Sequence, residues 1–181
     1  MTQLERKTNV EIIQLAPDDW MVLRDLKLQS LHEEQIAFGN PEQETKRYIE
    51  RPGGDWRKIL LGERLGGKEG ERVTVFAKVR GSYVGMVSSI LTTSPDSGYK
   101  SALLQHMYVA KERRGQGIGK NLLVDLINKL GAKGVRTLNL EVAETQVAAI
   151  NMYKGLGFGE ISRKNSEENS RLQKIHMQRI I

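Results

Sequence analysis

The chain has 181 residues, enough for one well-buried core, and its 39% apolar and 28% charged content excludes wholesale disorder and fibrous classes. The absence of cysteine excludes disulfides, thiolate metal sites and a cysteine nucleophile, and His32, His106 and His176 lack metal-ligand spacing. A formal net charge of +6 points to an anionic partner, and a phosphate-bearing nucleotide cofactor suits it as well as nucleic acid does. Without a Lys/Arg block or an aromatic stacking cluster, nucleic-acid binding is not expected.

Val10 to Leu15 is a short apolar run that stops at Ala16-Pro17-Asp18-Asp19, a turn that opens a helix. Trp20, Leu23, Leu26, Leu28 and Leu31 recur near helical spacing, and this helix ends by Phe38-Gly39-Asn40-Pro41. A second helix is predicted over 42–50 and a third over 55–61, with Gly62 to Gly70 as a mobile connector. The period then becomes two. Val73 to Val79 and Tyr83 to Leu91, joined at Gly81-Ser82, read as a hairpin. A loop over 92–100 leads to a strand over 103–109, a glycine-rich run, and a helix marked by Ile118, Leu122, Leu123, Leu126, Ile127 and Leu130. A strand over 135–142, a helix over 145–156 and strands around 158–163 and 172–179 complete the chain, with a solvated loop at Asn165 to Ser170. This order predicts a mixed α/β (α+β) sheet covered by helices, in one domain spanning 1–181 with a flexible stretch at 1–9. With no apolar run of about 18–20 residues and no secretory segment, a cytoplasmic location is expected.

Arg113-Arg114-Gly115-Gln116-Gly117-Ile118-Gly119-Lys120 stands between a strand and a helix. Glycines let backbone approach a ligand closely, and the first N–H groups of a helix point at an anion, so this run can bind phosphate. It fits neither a P-loop, which needs Gly-Lys-Ser/Thr where Lys120 and Asn121 stand, nor a dinucleotide fingerprint, whose third glycine would fall at Lys120.

Arg114-x-x-Gly117-x-Gly119 resembles the R/Q-x-x-G-x-G/A signature of the GNAT (Gcn5-related N-acetyltransferase) superfamily. Ala148 to Phe158 resembles a second block of that family, A-I-x-L-Y-x-x-x-G-F. The resemblance implies a mostly antiparallel sheet of about seven strands, splayed around acetyl-CoA, and no metal. It implies that backbone amides from Gly115 to Lys120 (Gly115, Gln116, Gly117, Ile118, Gly119, Lys120), with Arg114, hold the pyrophosphate. It also implies that Met107, Tyr108 and Val109 contact the thioester and pantetheine through their backbone. Gln146 stands where the family often has a pantetheine-binding Asn.

The same resemblance puts Tyr153 near the coenzyme sulfur as general acid. Glu141, twelve residues earlier, matches the proposed base of ribosomal-protein N-terminal acetyltransferases, and His106 is the alternative base. The implied activity is acetyl transfer to a primary amine on a small molecule, peptide or protein. The rival is a non-catalytic acyl-CoA-binding module, and a homodimer is left open. The acceptor side would fall at Ser30 to Glu50 and Leu91 to Ser101, where Glu33, Glu34, Glu42 and Glu44 could attract an amine.

Overall fold

A computed structural model describes residues 9–34, 40–165 and 173–181. Its elements in chain order are β1 (Val10–Ile13), α1 (Trp20–Glu33), α2 (Pro41–Glu50), α3 (Gly53–Leu60), β2 (Glu71–Val79), β3 (Ser82–Thr93), β4 (Lys100–Val109), α4 (Ile118–Ala132), β5 (Thr137–Ala143), α5 (Val147–Gly155), β6 (Gly159–Asn165) and β7 (Gln173–Ile180). The predicted element order is therefore found, although β2, β3 and β4 extend by one to three residues beyond their apolar cores. The predicted flexible stretch lies, apart from Asn9, outside the described residues, as does most of the Asn165 to Ser170 loop. No helix among the described residues is long and apolar enough to cross a membrane.

The strands form one sheet in the order β1-β2-β3-β4-β5-β7-β6. All neighbours are antiparallel except β4 and β5, which run parallel and pair only at Ser101↔Thr137, Ala102↔Leu138 and Leu103↔Asn139. Beyond these pairs β4 continues to Val109 without β5 beside it, so the sheet splits. Parallel pairing is slightly weaker per residue than antiparallel pairing, which makes this the natural seam to open. A bulge sits opposite the split: Ser88 pairs with His106 but Ser89 with Leu104, leaving Gln105 as the extra residue of β4. Such an insertion bends a strand and raises its twist.

Period-two alternation gives the sheet two apolar faces. One packs Val73, Val75, Ala77, Val87, Leu104, Leu138 and Leu140 against Leu122, Leu123, Leu126 and Leu130 of α4 and against Ile150 and Tyr153 of α5. The other packs Phe76, Met86 and Tyr108 against Leu23, Leu26 and Leu31 of α1, Tyr48 of α2, and Trp56 and Ile59 of α3. Pro41 starts α2, and the Asn40 side chain caps it by accepting the Gln43 N–H at 3.0 Å. The 62–70 connector is more anchored than its composition suggests. It forms a short 3-10 turn at Leu65–Gly67, Leu65 packs against the second core, and Gly62 accepts the Arg72 N–H. One leucine and a backbone bond supply the order that glycines and charges alone could not.

Gly85 marks the tightest contact between β3 and β4. A Cβ there would lie 2.7 Å from the Tyr108 carbonyl oxygen and 3.3 Å from Leu122 Cδ1, so backbone would have to move. Gly85→Ala is expected to destabilise the fold by about 1–3 kcal/mol through overpacking, read as a lower urea midpoint. An unchanged midpoint would show that the β3–β4 contact is slack.

Candidate active site

The glycine turn follows β4 directly. A 3-10 turn at Lys111–Arg113 carries the chain out of the strand, and Gly117 stands at the N-cap of α4 with φ +77° and ψ 0°, a left-handed conformation that other residues adopt only under strain. Gly115 is also left-handed, and nothing lies within 4 Å of where a Cβ would stand on either residue. Among the described residues, no backbone or side-chain acceptor takes the amides of Gly115 to Lys120. The open turn therefore presents a row of free donors at the positive end of a 15-residue helix, which fits a pyrophosphate. Gln116 and Lys120 are exposed beside it, while the Ile118 side chain is buried and leaves only its amide to face a ligand.

Gly119 serves packing as well. A Cβ there would stand 3.1 Å from Met107 Cε and 3.2 Å from Met152 Sδ, so the start of α4, the end of β4 and α5 converge on this glycine. Met107 and Val109 turn their side chains to the α4 face, and Tyr108 turns to the other. Past Leu103 the free edge of β4 looks into the split, where an extended chain bearing amides can pair with it. The residues present thus fit both halves of coenzyme A, the pyrophosphate at the turn and the pantetheine arm along β4.

The Arg114 side chain is engaged by protein groups. Its Nη2 lies 2.6 Å from Glu34 Oε1 and 3.5 Å from Glu33 Oε2, and its Nε donates to the Val109 carbonyl at 2.9 Å. Glu33 also accepts the Lys111 N–H at 3.0 Å. The end of α1 is thereby tied to the glycine turn. Glu33, Glu34 and Glu44, the last ion-paired with Arg47, are engaged rather than free to attract an amine. The Tyr108 phenol lies beside Glu33, and burial together with that carboxylate raises its pKa.

The two catalytic candidates sit on opposite faces of β5. Tyr153 is 5% exposed, packs its ring 5.7 Å from Phe158, and makes no hydrogen bond through its hydroxyl among the described residues. Burial pushes its pKa up to about 12, so the phenol stays protonated at neutral pH. Gln146 is the half-buried N-cap of α5, and its side chain makes no capping hydrogen bond. Glu141 projects to the other face, where Lys164 Nζ contacts it at 2.6 Å. Directly across the ladder stands His176, whose Nε2 lies 3.2 Å from Asn139 Oδ1, an oxygen that also accepts from Gln178 Nε2 at 2.9 Å. In the sequence Asn139 falls on the same side of the β5 alternation as Glu141 but carries no expected role, and His176 enters only as a candidate metal ligand. Their equal parity on paired strands was the signal that groups them with Glu141.

His106 shares this second face, across the split from Glu141. Its pKa is held well below the ordinary imidazole range, first by burial and then by Lys27 and Arg72. Lys27 was also missed. It occupies a core position of α1 between Leu23 and Leu31, a charge on an apolar stripe.

Among known proteins, residues 28–158 match the family model for the acetyltransferase (GNAT) family. The chain is 43% identical over 65 residues to [ribosomal protein bS18]-alanine N-acetyltransferase of Escherichia coli K12, a match covering 35% of this chain and 44% of that protein. It is 35% identical over 75 residues to N-acetyltransferase 8B of Rattus norvegicus, covering 41% and 34% respectively. The matches thus span less than half the length of these curated relatives. The solved structure of PaiA N-acetyltransferase from Thermoplasma acidophilum in complex with coenzyme A overlays with a TM-score of 0.69 at 17% identity, over 96% of this chain and 99% of that one. The family match runs from the second half of α1 to the turn after α5, including the split, the glycine turn and Tyr153, and the chain therefore belongs to the GNAT acetyltransferase family.

Proposed function

We propose that this protein transfers an acetyl group from acetyl-CoA to a primary amine of a small molecule or peptide, by direct attack with both substrates bound. The observation that carries the reading is the junction of the free β4 edge with the open row of amides at Gly115 to Lys120. When bound, acetyl-CoA supplies the thioester carbonyl that the amine attacks and the thiolate that leaves. Backbone N–H groups of Met107 to Val109 orient the carbonyl and stabilise the negative charge that grows on its oxygen. Tyr153 donates its phenolic proton to the departing sulfur, a role supported by its buried, protonated hydroxyl.

The amine enters from the α1–α3 face. Glu141 takes its ammonium proton through water, and Lys164, Asn139 and His176 hold that wall in place. The surroundings of His106 favour Glu141 over it, because burial first, and then Lys27 and Arg72, oppose a positive charge on the imidazole. A peptide acceptor is supported by the E. coli relative, whose name gives a ribosomal protein alanine as its substrate.

Three measurements test this reading. Acetyl-CoA should bind at about micromolar strength, near −8 kcal/mol, in calorimetry beside NAD and ATP. Gly117→Glu should abolish that binding, since its carboxylate repels pyrophosphate and its backbone is left-handed. A preference for NAD or ATP would overturn the cofactor assignment, and acetyl-CoA binding without turnover of any amine would indicate a non-catalytic binder. Tyr153→Phe should lower kcat about 100-fold or more with acetyl-CoA affinity unchanged; an unchanged kcat would remove Tyr153 from the proton path.

The third concerns pH. The folded-state pKa of His106 is depressed, so acid favours the unfolded chain, which binds the proton first. Stability should fall as pH drops below about 6.5, and His106→Gln should flatten that loss in urea midpoints compared at pH 7 and pH 5. Equal slopes in both proteins would show that the imidazole is freely solvated.

A further inference from the structure

The face of the sheet that the acceptor would use carries an excess of positive charge, with Lys27 buried, Arg51 and Arg72 half-buried and Arg47 exposed at its rim. Lys27, 5% exposed, reaches over the Tyr48 ring with its ammonium 5.3 Å from the centroid, and Arg47 and Arg51 approach the same ring at 5.4 Å. Arg51 also lies over Trp56 at 4.6 Å. Arg72 of β2 extends across the sheet and donates from Nη1 to Ser88 Oγ at 3.1 Å, and Ser88 in turn pairs in register with His106 of β4. Buried Nε of Arg72 and buried Nδ1 of His106 have no hydrogen-bond partner among the described residues.

Carboxylates do not balance this group. Glu44 is ion-paired with Arg47, Asp55 acts on Arg51, and among the described residues none lies within ion-pair distance of Lys27, Arg51 or Arg72. Aromatic faces offset part of the cost of burying these cations, but a ring quadrupole is not a counter-charge. Burial first, and then repulsion from neighbouring cations, Arg64 foremost at Arg72, lowers the pKa values of Lys27, Arg51 and Arg72, with Glu44 opposing the shift at Lys27 and Arg51. A buried charge without an opposite charge destabilises a fold, and a bound anion removes that penalty.

We propose that the amine acceptor also carries an oxyanion, a carboxylate or a phosphate, received by Arg72 and Lys27 on the α1–α2 side of the split. This rests on the acetyltransferase reading and narrows its substrate class. Arg72 delivers its guanidinium over β3, whereas the amine must reach the split beyond β4, so the amine and the oxyanion stand at least one strand spacing, about 5 Å, apart. That span corresponds to about three methylenes or more, so a γ- to ε-amino acid fits and an α-amino acid is too short. Tyr48 fixes Lys27 at the floor, and Arg47 and Arg51 at the more open rim steer the anion inward.

The test is thermal stabilisation and turnover of the full chain in the presence of saturating coenzyme A or acetyl-CoA. Probes are 4-aminobutyrate and 6-aminohexanoate, their carboxamides, O-phosphoethanolamine and alanine. The carboxylates, or the phosphate ester, should raise Tm and be acetylated with kcat/KM at least tenfold above the matching carboxamides. Comparing the carboxylates with the phosphate ester identifies which oxyanion the site takes. Arg72→Gln should erase the preference by raising KM only for the oxyanion-bearing amines.

Lys27→Met keeps the side-chain volume and should raise Tm without ligand while abolishing stabilisation by the oxyanions. This holds the test open even if Arg72→Gln folds poorly. Equal response to carboxylates and carboxamides, or an oxyanion preference that survives both substitutions, would overturn the proposal while leaving the acetyltransferase reading intact. Failure of acetyl-CoA itself to bind would instead remove the reading on which the proposal rests.

Discussion

Parallel pairing between β4 and β5 stops after Leu103↔Asn139, and the remaining architecture is arranged around that interruption. A sheet opened at its centre exposes backbone donors and acceptors that must find partners. The opening is held from both sides. The β2–β3–β4 half is braced by α4 and by α1, and the β5–β7–β6 half by the long antiparallel ladder from Thr137↔Ile180 to Ala143↔Lys174. Gln105, the extra residue of β4, lies where the strand begins to leave its parallel neighbour. Glycine at 119 then lets α4 close over the gap near Met107 and Met152.

Two chemistries are kept apart by the parity of a single strand. Leu138, Leu140 and Val142 point to the face that buries Tyr153, while Asn139 and Glu141 point to the opposite face with His176. The buried Tyr153 phenol in apolar surroundings and the Glu141 carboxylate in contact with Lys164 therefore meet only through the split. The arrangement suits a reaction in which a proton leaves one substrate on one side and another arrives at sulfur on the other.

Much of this was legible in the sequence because it depends on local rules. Period-two runs located the strands, Pro41 marked a helix boundary, and the spacing Arg114-x-x-Gly117-x-Gly119 drew attention to the turn that holds free amides. What escaped is what depends on long-range partnership. Arg114 was read with the glycines beside it, yet its guanidinium reaches carboxylates some 80 positions earlier in the chain. Glu33 and Glu34 looked like bait for an amine until that pairing neutralised them. The cations beneath α2 come from α1, α2 and β2, so no window of sequence contains them together; only Lys27, a charge among leucines, gave a local sign.

The free edge of β4 also acts as a gauge of thickness. Any extended chain could in principle add to a bare strand edge, including a polypeptide. A β-strand, however, carries side chains alternately on its two faces, and on the α4 face Met107 and Met152 both crowd against Gly119 beside this edge. A slender arm that bears amides but no side chains needs less room beside those two methionines than a protein strand does. The side chains crowded beside the edge, as much as the free amides at its end, thus limit what can pair with β4.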